Sequence, residues 1–582
     1  MTTPQLIADR IRVARGLDPC DLLLTRVQLV NVLTDEVYEV DGVAIHQGRV
    51  VGFGADRPAT QTIDLGGQFL SPSFIDGHVH IESSMVTPAE FARAVVPNGT
   101  GAVVCDPHEI ANVLGADGVR WILSASEGLP LDVWVNVPSC VPATPLETSG
   151  AVMDAGIVGQ LLESHPRIIG LAEMMNFPGV IHAFDDPLQK LSVAAQQGRR
   201  RDGHAPQVRG RDLSAYITAG ITTDHEATTA DEARDKLRQG MMLQIREGSA
   251  AKNLRELIKV VTPRSARRCM FVTDDRHPAD LLEDGHINAV VRDAIRCGIS
   301  PAAACGMASF NTAQHYGLQS GAVAPGFAAD LIAFESFDTI KPTHVFKAGK
   351  LVAKDGKLLQ AVPTFDHSAT FNTVRLTADQ VATLPLRVDA AAAGTGDLRV
   401  IVAEHGSLLT GERRIAPRAV DGAIESDVAN DVLKLVVVDR HTGNARTGVG
   451  FVSGFDLRAG ALGCSVAHDN HNLIAVGVTD ADLRHALAEL VRMQGGLVAV
   501  NAGKVLASFP LDVAGLMSSG TVEAARDAEH AMNAAAGSLG VALPCPFMTL
   551  SFLALPPIPA LKLTDHGLVD VAAFKVVPLR VG

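Results

Sequence analysis

Residues 74–80, with the sequence FIDGHVH, decide the predicted fold of this chain. They form an apolar run of strand length that ends in two histidines two positions apart, and such residues face the same side of a strand. A polar loop and the helix-like segment TPAEFARAVV follow this run. The same order of strand, loop and helix recurs from residue 71 to about residue 318, which indicates a parallel sheet with helical connections.

The predicted strands that follow this pattern are 74–80, 101–108, 132–139, 168–175, 202–206, 222–227, 242–248 and 269–275. Repeated strand–helix units of this number, over about 250 residues, are typical of a (β/α)8 TIM-type barrel. We therefore predict an α/β fold with this barrel at residues 71–318.

The segments that flank the barrel have a different pattern of apolar and polar residues. Residues 22–70 alternate apolar and polar side chains between Asp-Gly and Gln-Gly turns, which is typical of antiparallel strands. Strand character returns after the barrel, with a Lys-Asp-Gly-Lys hairpin turn at 354–357. We expect residues 1–70 and 319–365 to build one small β-sandwich domain. Residues 366–582, where helices and strands mix, are expected to form a C-terminal α+β domain.

The composition of the chain excludes several classes of function. The 582 residues carry 50 basic and 64 acidic side chains, a net charge of −14, with 2 Trp and 3 Tyr. An acidic protein with few aromatic side chains does not attract nucleic acid or anionic lipid. The 8 cysteines contain no Cys-x-x-Cys pair, so neither a disulfide framework nor a zinc finger is expected. The 20 histidines instead indicate a catalytic or metal-binding role.

Two segments bear on targeting. The N-terminus lacks the apolar core of a signal peptide, and the uncharged stretch 540–561 contains prolines that would break a membrane-spanning helix. We interpret this stretch as buried strands and turns. The sequence therefore predicts a soluble, cytoplasmic protein without nucleic-acid or membrane partners.

Histidines and acids recur at the carboxyl ends of the predicted barrel strands, where the active sites of barrel enzymes lie. This set comprises His78, His80, Glu173, His204, His225 and Asp274. A single His-x-His pair is a weak signal, because chance surface pairs are as common. The whole set is a strong signal, because four imidazoles and two carboxylates are costly to bury together without a cation. Their number and type suit two divalent metal ions.

The same segments resemble a known enzyme family. The matching stretches are PSFIDGHVHIESSMVTPAEFA, VVCDPHEIANVLG, GLAEMMNFPGV, DGHAP, TTDHEA, SVAHDNHN and GGLVAVNAGKV. Together they resemble the adenine deaminase family of the metal-dependent amidohydrolase superfamily, over nearly the whole chain. The resemblance implies hydrolysis of adenine to hypoxanthine and ammonia at a binuclear centre, in purine salvage or catabolism. Manganese (Mn2+) is the first expected metal, with iron (Fe2+) or zinc (Zn2+) as alternatives.

The resemblance also implies a division of the histidines between the two metals. His78 and His80 would hold the first metal, while His204 and His225 would hold the second. Glu173 would bridge the metals in place of the carboxylated lysine that many relatives use.

Asp274 would both bind a metal and move protons, because it ends the last strand beside the metals. A carboxylate there can accept a proton from the attacking water and return it to the departing amino group. One departure from the family pattern is the run Arg199-Arg200-Arg201 before the fifth strand, where an apolar lead-in is expected. The sequence therefore does not fix the residue at which that strand begins.

Weaker candidates lie close to these strand ends. His108 and Glu109, in CDPHE after the second strand, are candidate catalytic residues, although a loop pair that bonds only backbone groups is equally compatible. Glu82 is a candidate for substrate binding or a structural partner of the first-strand loop. Asp275 follows Asp274 and is expected to point away from the site by strand alternation.

The C-terminal motif AHDNHN places His468, Asp469 and His471 between two apolar runs. One interpretation is a solvated turn. The other is a lid that reaches the barrel mouth, in which case His468 and His471 would bind substrate.

Two other functions are compatible with the sequence. An enzyme similar to dihydroorotase or hydantoinase would hydrolyse a cyclic amide, or a related aminopurine, on the same scaffold. Such relatives use a lysine at the position that Glu173 occupies here. A non-catalytic scaffold would have kept the barrel without its metals, and the retained ligand set argues against it. Adenine is the expected small-molecule partner, and the apolar C-terminal surface indicates a homodimer.

Overall fold

The computed structural model describes residues 3–404 and 407–581. In this part of the chain, eight parallel strands form the barrel. They are β1 (Phe74–Val79), β2 (Thr100–Cys105), β3 (Asp132–Val137), β4 (Ile168–Met174), β5 (Arg200–Gly203), β6 (Thr223–Asp224), β7 (Met242–Arg246) and β8 (Cys269–Val272). Strands β1 to β5 pair in chain order, as do β6 to β8.

These two groups of strands meet at both edges. Asp274 N donates to His78 O at 3.0 Å and His80 N donates to Asp274 O at 3.2 Å, so the chain beyond β8 pairs with β1. Thr222 N donates to Arg201 O at 3.0 Å, which joins β5 to the start of β6. The sheet therefore closes, and the predicted (β/α)8 barrel is confirmed.

Helices cover the outside of the barrel. They are Pro88–Val95, His108–Leu114, Ala116–Ala125, Ala155–Ser164, Phe177–Ile181, Asp185–Gln196, Gly210–Thr218, Ala230–Arg238, Leu254–Leu257, Pro278–Glu283, Ile287–Arg296, Pro301–Met307 and Phe310–Tyr316. Strands β1 and β2 are buried along their whole length, as expected when one face meets the barrel interior and the other meets helices. Strand β5 begins at the exposed Arg200 and continues with the half-buried Arg201, so two arginines of the run belong to the strand itself.

The two flanks of the barrel form one nine-stranded sheet within the described residues. After the helix Pro4–Ala14, its strands are Cys20–Asn31, Glu36–His46, Arg49–Phe53, Ala59–Asp64, Phe69–Pro72, Leu331–Phe334, Pro342–Lys347, Lys350–Lys354 and Lys357–Leu358. Leu331 pairs with Pro72 in antiparallel register, which joins the two flanks as predicted. In the predicted hairpin turn, Asp355 (φ 48°) and Gly356 (φ 78°) both adopt the left-handed conformation that two-residue turns favour.

The C-terminal region combines a sheet with helices, as predicted. The strands of its main sheet are Asp397–Ala403, Thr410–Ile415, Leu433–Val438, Thr447–Ser453, Ala461–Cys464, Leu473–Gly477, Gly496–Asn501, Lys504–Pro510 and Arg580–Val581. Two smaller sheets contain Val388–Asp389, Ala419–Val420 and Ala423–Ile424, and Leu561–Thr564, Gly567–Asp570 and Lys575–Val576. The helices are Ala378–Ala382, Asp480–Met493, Val522–Ser538 and Pro546–Phe552. The residue limits of the three predicted domains stay predictions.

The stretch 540–561 differs from the expected strands and turns. Residues Pro546–Phe552 form a helix, and a strand begins only at Leu561. Proline at the first helical position lacks only an N–H that has no helical partner there, so Pro546 begins the helix instead of breaking it. Across residues 3–404 and 407–581, no helix combines the length and the apolar character that a membrane crossing needs.

The C-terminal region contacts the loops at the carboxyl ends of the barrel strands. Thr148, in the loop after β3, donates from N and Oγ1 to Asp565 at 3.0 and 2.7 Å. His277 Nδ1, beyond β8, lies 2.8 Å from Glu529 Oε1. These contacts place the C-terminal region over the mouth of the barrel.

Candidate active site and metal centre

The structure brings the first pair of predicted ligands against two carboxylates. His80 Nε2 lies 3.0 Å from Asp274 Oδ1 and 3.3 Å from Glu173 Oε1. His78 Nε2 lies 3.4 Å and 3.6 Å from the same two oxygens. Both histidines come from the end of β1, two positions apart, which is why their rings reach one point.

The second pair of histidines faces the other oxygen of Glu173. His204 Nδ1 lies 2.7 Å and His225 Nε2 lies 3.2 Å from Glu173 Oε2. These histidines follow β5 and β6 directly, and Glu173 belongs to β4 between them and β1. One carboxylate therefore stands between two imidazole pairs, with one oxygen toward each.

The chemistry of this donor set fits divalent metal ions. All six residues are at most 4% exposed. Within the described residues, His78 Nε2, His204 Nε2 and His225 Nδ1 have no hydrogen-bond partner. Buried nitrogen atoms without partners are unfavourable, whereas nitrogen and carboxylate oxygen are the ligands that such metals take. Within the set, His78, His80 and Asp274 form one group of three ligand atoms spaced closely enough for one ion, and His78, Glu173 and His225 form another.

The electrostatics of the site keep both carboxylates ionised. Burial alone would raise the pKa of Glu173, but His225 and the hydrogen bonds from His204 and His80 outweigh it and hold the pKa well below its ordinary value. For Asp274, burial is likewise outweighed by its histidine neighbours and by Arg246, so its pKa is also well below the ordinary range. Ionised carboxylates are the form that binds metal.

Two residues of the site were not found by the sequence analysis. Glu226 Oε1 lies 3.7 Å from His204 Nδ1 and 3.6 Å from His225 Nε2. Arg246, at the end of β7, donates to Glu226 and, at 2.7 Å, to Asp274 Oδ2. Arg246 thus connects a carboxylate near the second histidine pair to one near the first.

A small cavity lies directly above the ligand set, and both domains line it. The barrel contributes His108, Met175, Glu226 and Asp275 besides five of the six predicted ligands, which are His80, Glu173, His204, His225 and Asp274. The C-terminal region contributes Leu408, His468, Asp469, Phe552, Leu555 and Ile558. The active-site cavity is therefore completed by the C-terminal region.

His108 lies on the wall of this cavity. Its Nδ1 is 3.3 Å from Asp106 Oδ2 and 3.5 Å from Glu173 Oε1, and its Nε2 is 3.4 Å from Asp469 Oδ1. Burial would lower the pKa of His108, but Asp469 and Asp106 outweigh it and raise the pKa well above its ordinary value. These two carboxylates therefore favour the protonated form of His108.

Glu82, Glu109 and His471 form a buried layer behind this wall. Ser83 Oγ lies 2.7 Å from Glu109 Oε1, and Ile110 N donates to Glu82 Oε1 at 3.1 Å. His471 Nε2 is 3.8 Å from Glu109 Oε2. Burial and the neighbouring Glu109 raise the pKa of Glu82 to about 8.

The AHDNHN motif is buried, so its interpretation as a solvated turn is wrong. His468 is 3% exposed and His471 is fully buried. Asn470 Nδ2 donates to Glu147 Oε2 at 2.8 Å, which attaches the motif to the loop after β3. The motif reaches the barrel mouth, and His468 lies on the cavity wall.

The expectation that Asp275 points away from the site is also wrong. Asp275 lines the cavity, and its Oδ1 lies 2.5 Å from Ser83 Oγ. Asp274 has a left-handed backbone conformation (φ 59°), which turns the chain after β8 and ends the alternation of a strand.

Comparisons with known proteins agree with this architecture. The amidohydrolase family model matches residues 69–352, and the model of the adenine deaminase C-terminal domain matches residues 407–575. An adenine deaminase from Desulfatibacillum aliphaticivorans is 46% identical over 98% of this chain and 99% of its own length. This chain belongs to the adenine deaminase family. Adenine deaminase 2 of Carboxydothermus hydrogenoformans is 45% identical, again over 98% and 99% of the two chains.

The adenine deaminase C-terminal domain accounts for part of the cavity wall. The matched range 407–575 contains every C-terminal residue that lines the cavity, from Leu408 to Ile558. Among solved structures, an enamidase is 17% identical with a TM-score of 0.44, over 59% of this chain and 98% of its own. That likeness is too distant to bear on the function.

Proposed function

We propose that this protein is an adenine deaminase that converts adenine and water to hypoxanthine and ammonia. The observation that carries the proposal is the full-length similarity to curated adenine deaminases at 44–46% identity. The donor set around Glu173 supports it, because it offers one carboxylate oxygen to each of two histidine pairs.

Two divalent cations would be held by the six predicted ligands. His78, His80 and Asp274 would hold the first, His204 and His225 the second, and Glu173 would stand between them. Manganese is the first candidate, with iron or zinc as alternatives. When bound, such cations lower the pKa of a water molecule so that hydroxide is available at neutral pH.

The proton transfers are assigned to Asp274. The water oxygen bonds to C6 of adenine, the bond from C6 to the amino nitrogen breaks, and ammonia leaves. One proton of the water leaves with the amino group, and the other ends on ring nitrogen N1 as C6 becomes the carbonyl carbon of hypoxanthine. Asp274 accepts the proton of the attacking water and returns it to the departing amino group. Arg246 holds Asp274 Oδ2 at 2.7 Å and so fixes the direction of the other oxygen.

His108 and His468 are assigned to the substrate side of the cavity. The positive charge of His108 stabilises the negative charge that builds on the purine ring during attack. His468 contacts substrate from the C-terminal side. Glu109, Glu82 and His471 lie behind the wall, and we assign them the positioning of the wall instead of contact with adenine.

Neither alternative function is favoured. The bridging position holds Glu173 and not the lysine of cyclic-amide hydrolases, and the curated relatives along the full length are named as adenine deaminases. A scaffold without activity would not need the unpartnered, buried imidazole nitrogens of the ligand set. The predicted homodimer and cytoplasmic location stay predictions.

The test is a substrate panel on manganese-loaded protein. We expect ammonia and hypoxanthine from adenine, and no ammonia from cytosine or ring opening of dihydroorotate or hydantoin. Metal content is measured on the same sample. A fully loaded protein that leaves adenine intact would contradict the proposed function.

A further inference from the structure

A second cluster of metal-type ligands lies outside the six predicted ligands. It consists of Glu109, on the barrel helix His108–Leu114, and of His468 and His471, in the C-terminal motif AHDNHN. One nitrogen or oxygen atom from each of these residues lies within 4.8 Å of the other two. The cluster is therefore a separate donor set, to which the barrel and the C-terminal region both contribute.

The cluster is buried and its polar atoms are not satisfied. Glu109 is 1% exposed, His468 is 3% exposed and His471 is fully buried. Among residues 3–404 and 407–581, neither ring nitrogen of His471 nor Oε2 of Glu109 has a hydrogen-bond partner. His471 Nε2 and Glu109 Oε2 lie 3.8 Å apart, which is too far for a direct hydrogen bond. Because unpaired buried polar atoms are unfavourable, these atoms require a further partner between them.

The charges of the cluster favour a cation as that partner. Burial and the neighbouring His468 keep the pKa of His471 well below its ordinary value, so His471 is the neutral imidazole that a metal binds. Ser83 Oγ donates to Glu109 Oε1 at 2.7 Å, so only Oε2 of this carboxylate faces His471. Burial raises the pKa of Glu109, and a cation at Oε2 would oppose this effect.

The donor set and its spacing fit zinc. Two imidazoles and one carboxylate are a common set of protein ligands for zinc, with water in the fourth position. Zinc-to-ligand distances of about 2.0–2.2 Å place neighbouring ligand atoms about 3.4 Å apart in a tetrahedron. The 3.8 Å between His471 Nε2 and Glu109 Oε2 is close to this spacing. A small rotation of the side chains therefore completes the site.

We propose that Glu109, His468 and His471 bind a third divalent cation, zinc by preference, which joins the C-terminal region to the barrel. The cation would hold His468, whose ring lines the active-site cavity and stacks on Phe552 with 4.3 Å between the ring centroids. It takes no part in the chemistry. With one carboxylate and two imidazoles, this site is weaker than the set around Glu173, so it fills after the first two ions.

The experiment counts zinc ions on the full-length protein. Metal-free protein is dialysed against increasing concentrations of free zinc, and bound zinc is measured by atomic emission. Wild type should bind about three ions per chain, and Glu109→Gln and His471→Ala should each bind about two. His485→Ala is the control and should keep the wild-type number. His485 is a half-buried histidine of the helix Asp480–Met493 whose Nδ1 also lacks a partner, but it lies outside the cluster.

Two further measurements show which site loses the ion. In the Glu173→Gln background, where the predicted binuclear site is weakened, His471→Ala should still remove one ion per chain. Zinc beyond two equivalents should raise the melting temperature of wild type and leave that of His471→Ala unchanged, because only the wild-type site binds it. If His471→Ala does not fold, Glu109→Gln decides the outcome.

Wild type that saturates at two ions would overturn the proposal. So would cluster variants that keep three ions, because the third ion would then be bound elsewhere. The zinc count does not depend on turnover. Protein that binds three ions and leaves adenine intact would therefore contradict the proposed function and leave the third site in place.

Discussion

The two oxygens of Asp274 face different partners. Oδ1 lies 3.0 Å from His80 Nε2, whereas Oδ2 accepts a hydrogen bond from Arg246 at 2.7 Å. One oxygen is therefore directed at the first histidine pair while the other is fixed by a guanidinium group. This arrangement suits a base that must also keep its position beside a cation.

Replacing Asp274 by asparagine should separate its role as a base from its role as a metal ligand. Asp274→Asn keeps the shape and one oxygen ligand but cannot accept a proton from water. We expect kcat to fall by about 10²–10⁴-fold with a smaller change in KM. Ammonia release, metal content and thermal melting are measured together. The matched control is Asp293→Asn, because the Asp293 side chain is 41% exposed on the helix Ile287–Arg296. Near wild-type kcat in fully metallated Asp274→Asn would remove Asp274 from the proton transfers.

The predicted ligands were accessible to sequence reasoning because each lies at or just beyond the carboxyl end of a barrel strand. Glu226 was missed because β6 is only two residues long, so alternation says nothing about the residue after His225. The orientation of Asp275 was wrong for a related reason, because the left-handed backbone at Asp274 is not visible in the pattern. Sequence periodicity thus predicts side-chain directions within strands. It does not predict them for the residues that follow the end of a strand.

The strand Leu561–Thr564 holds the end of the helix Pro546–Phe552 through a side-chain hydrogen bond. The strand brings Lys562 under the carbonyl of Phe552, and the helix brings Phe552 to the cavity. Burial lowers the pKa of Lys562 to about 7. The lysine is therefore close to losing its charge near neutral pH.

This lowered pKa predicts how stability depends on pH. Between about pH 7 and about pH 10, the unfolded chain keeps a proton on Lys562 that the folded chain has released, so stability rises with pH in this window. Lys562→Met removes this dependence. We expect the melting temperature of Lys562→Met, relative to wild type, to be highest near pH 7 and to decrease toward pH 9.

The measurement is thermal melting of both proteins with equal metal loading at several pH values. Lys504→Met, on an exposed strand, is the control and should stay within about 0.5 kcal/mol of wild type at each pH. A difference between Lys562→Met and wild type that does not change with pH would show that the lysine stays charged in the folded protein.

At the scale of the whole molecule, the candidate active site is built from two regions of the chain. The barrel supplies the predicted metal ligands, and the C-terminal region supplies the opposite wall of the cavity through His468, Asp469 and Phe552. Hydrogen bonds such as the one from Thr148 Oγ1 to Asp565 hold the barrel and the C-terminal region together. Covering the mouth excludes water, which strengthens every electrostatic interaction inside the site.

The domain types could be predicted from sequence, but their contact could not. Barrel and C-terminal domain each have local patterns of strand and helix, whereas the position of AHDNHN depends on packing between residues more than 300 positions apart, such as Asn470 and Glu147. Likewise, the prolines of 540–561 were interpreted as turns, because the sequence does not show that Pro546 occupies the first position of a helix.

The central claim is that two metal ions held around Glu173 carry out adenine deamination. Metal-free protein is titrated with manganese, and ammonia release from adenine is measured after each addition, for wild type and for Glu173→Gln. For wild type, the rate should rise to a plateau at about two equivalents per chain. Glu173→Gln should bind less metal and reach a much lower plateau, because an amide cannot offer a charged oxygen to each site. A wild-type plateau at one equivalent, or full loading without ammonia release, would contradict the claim.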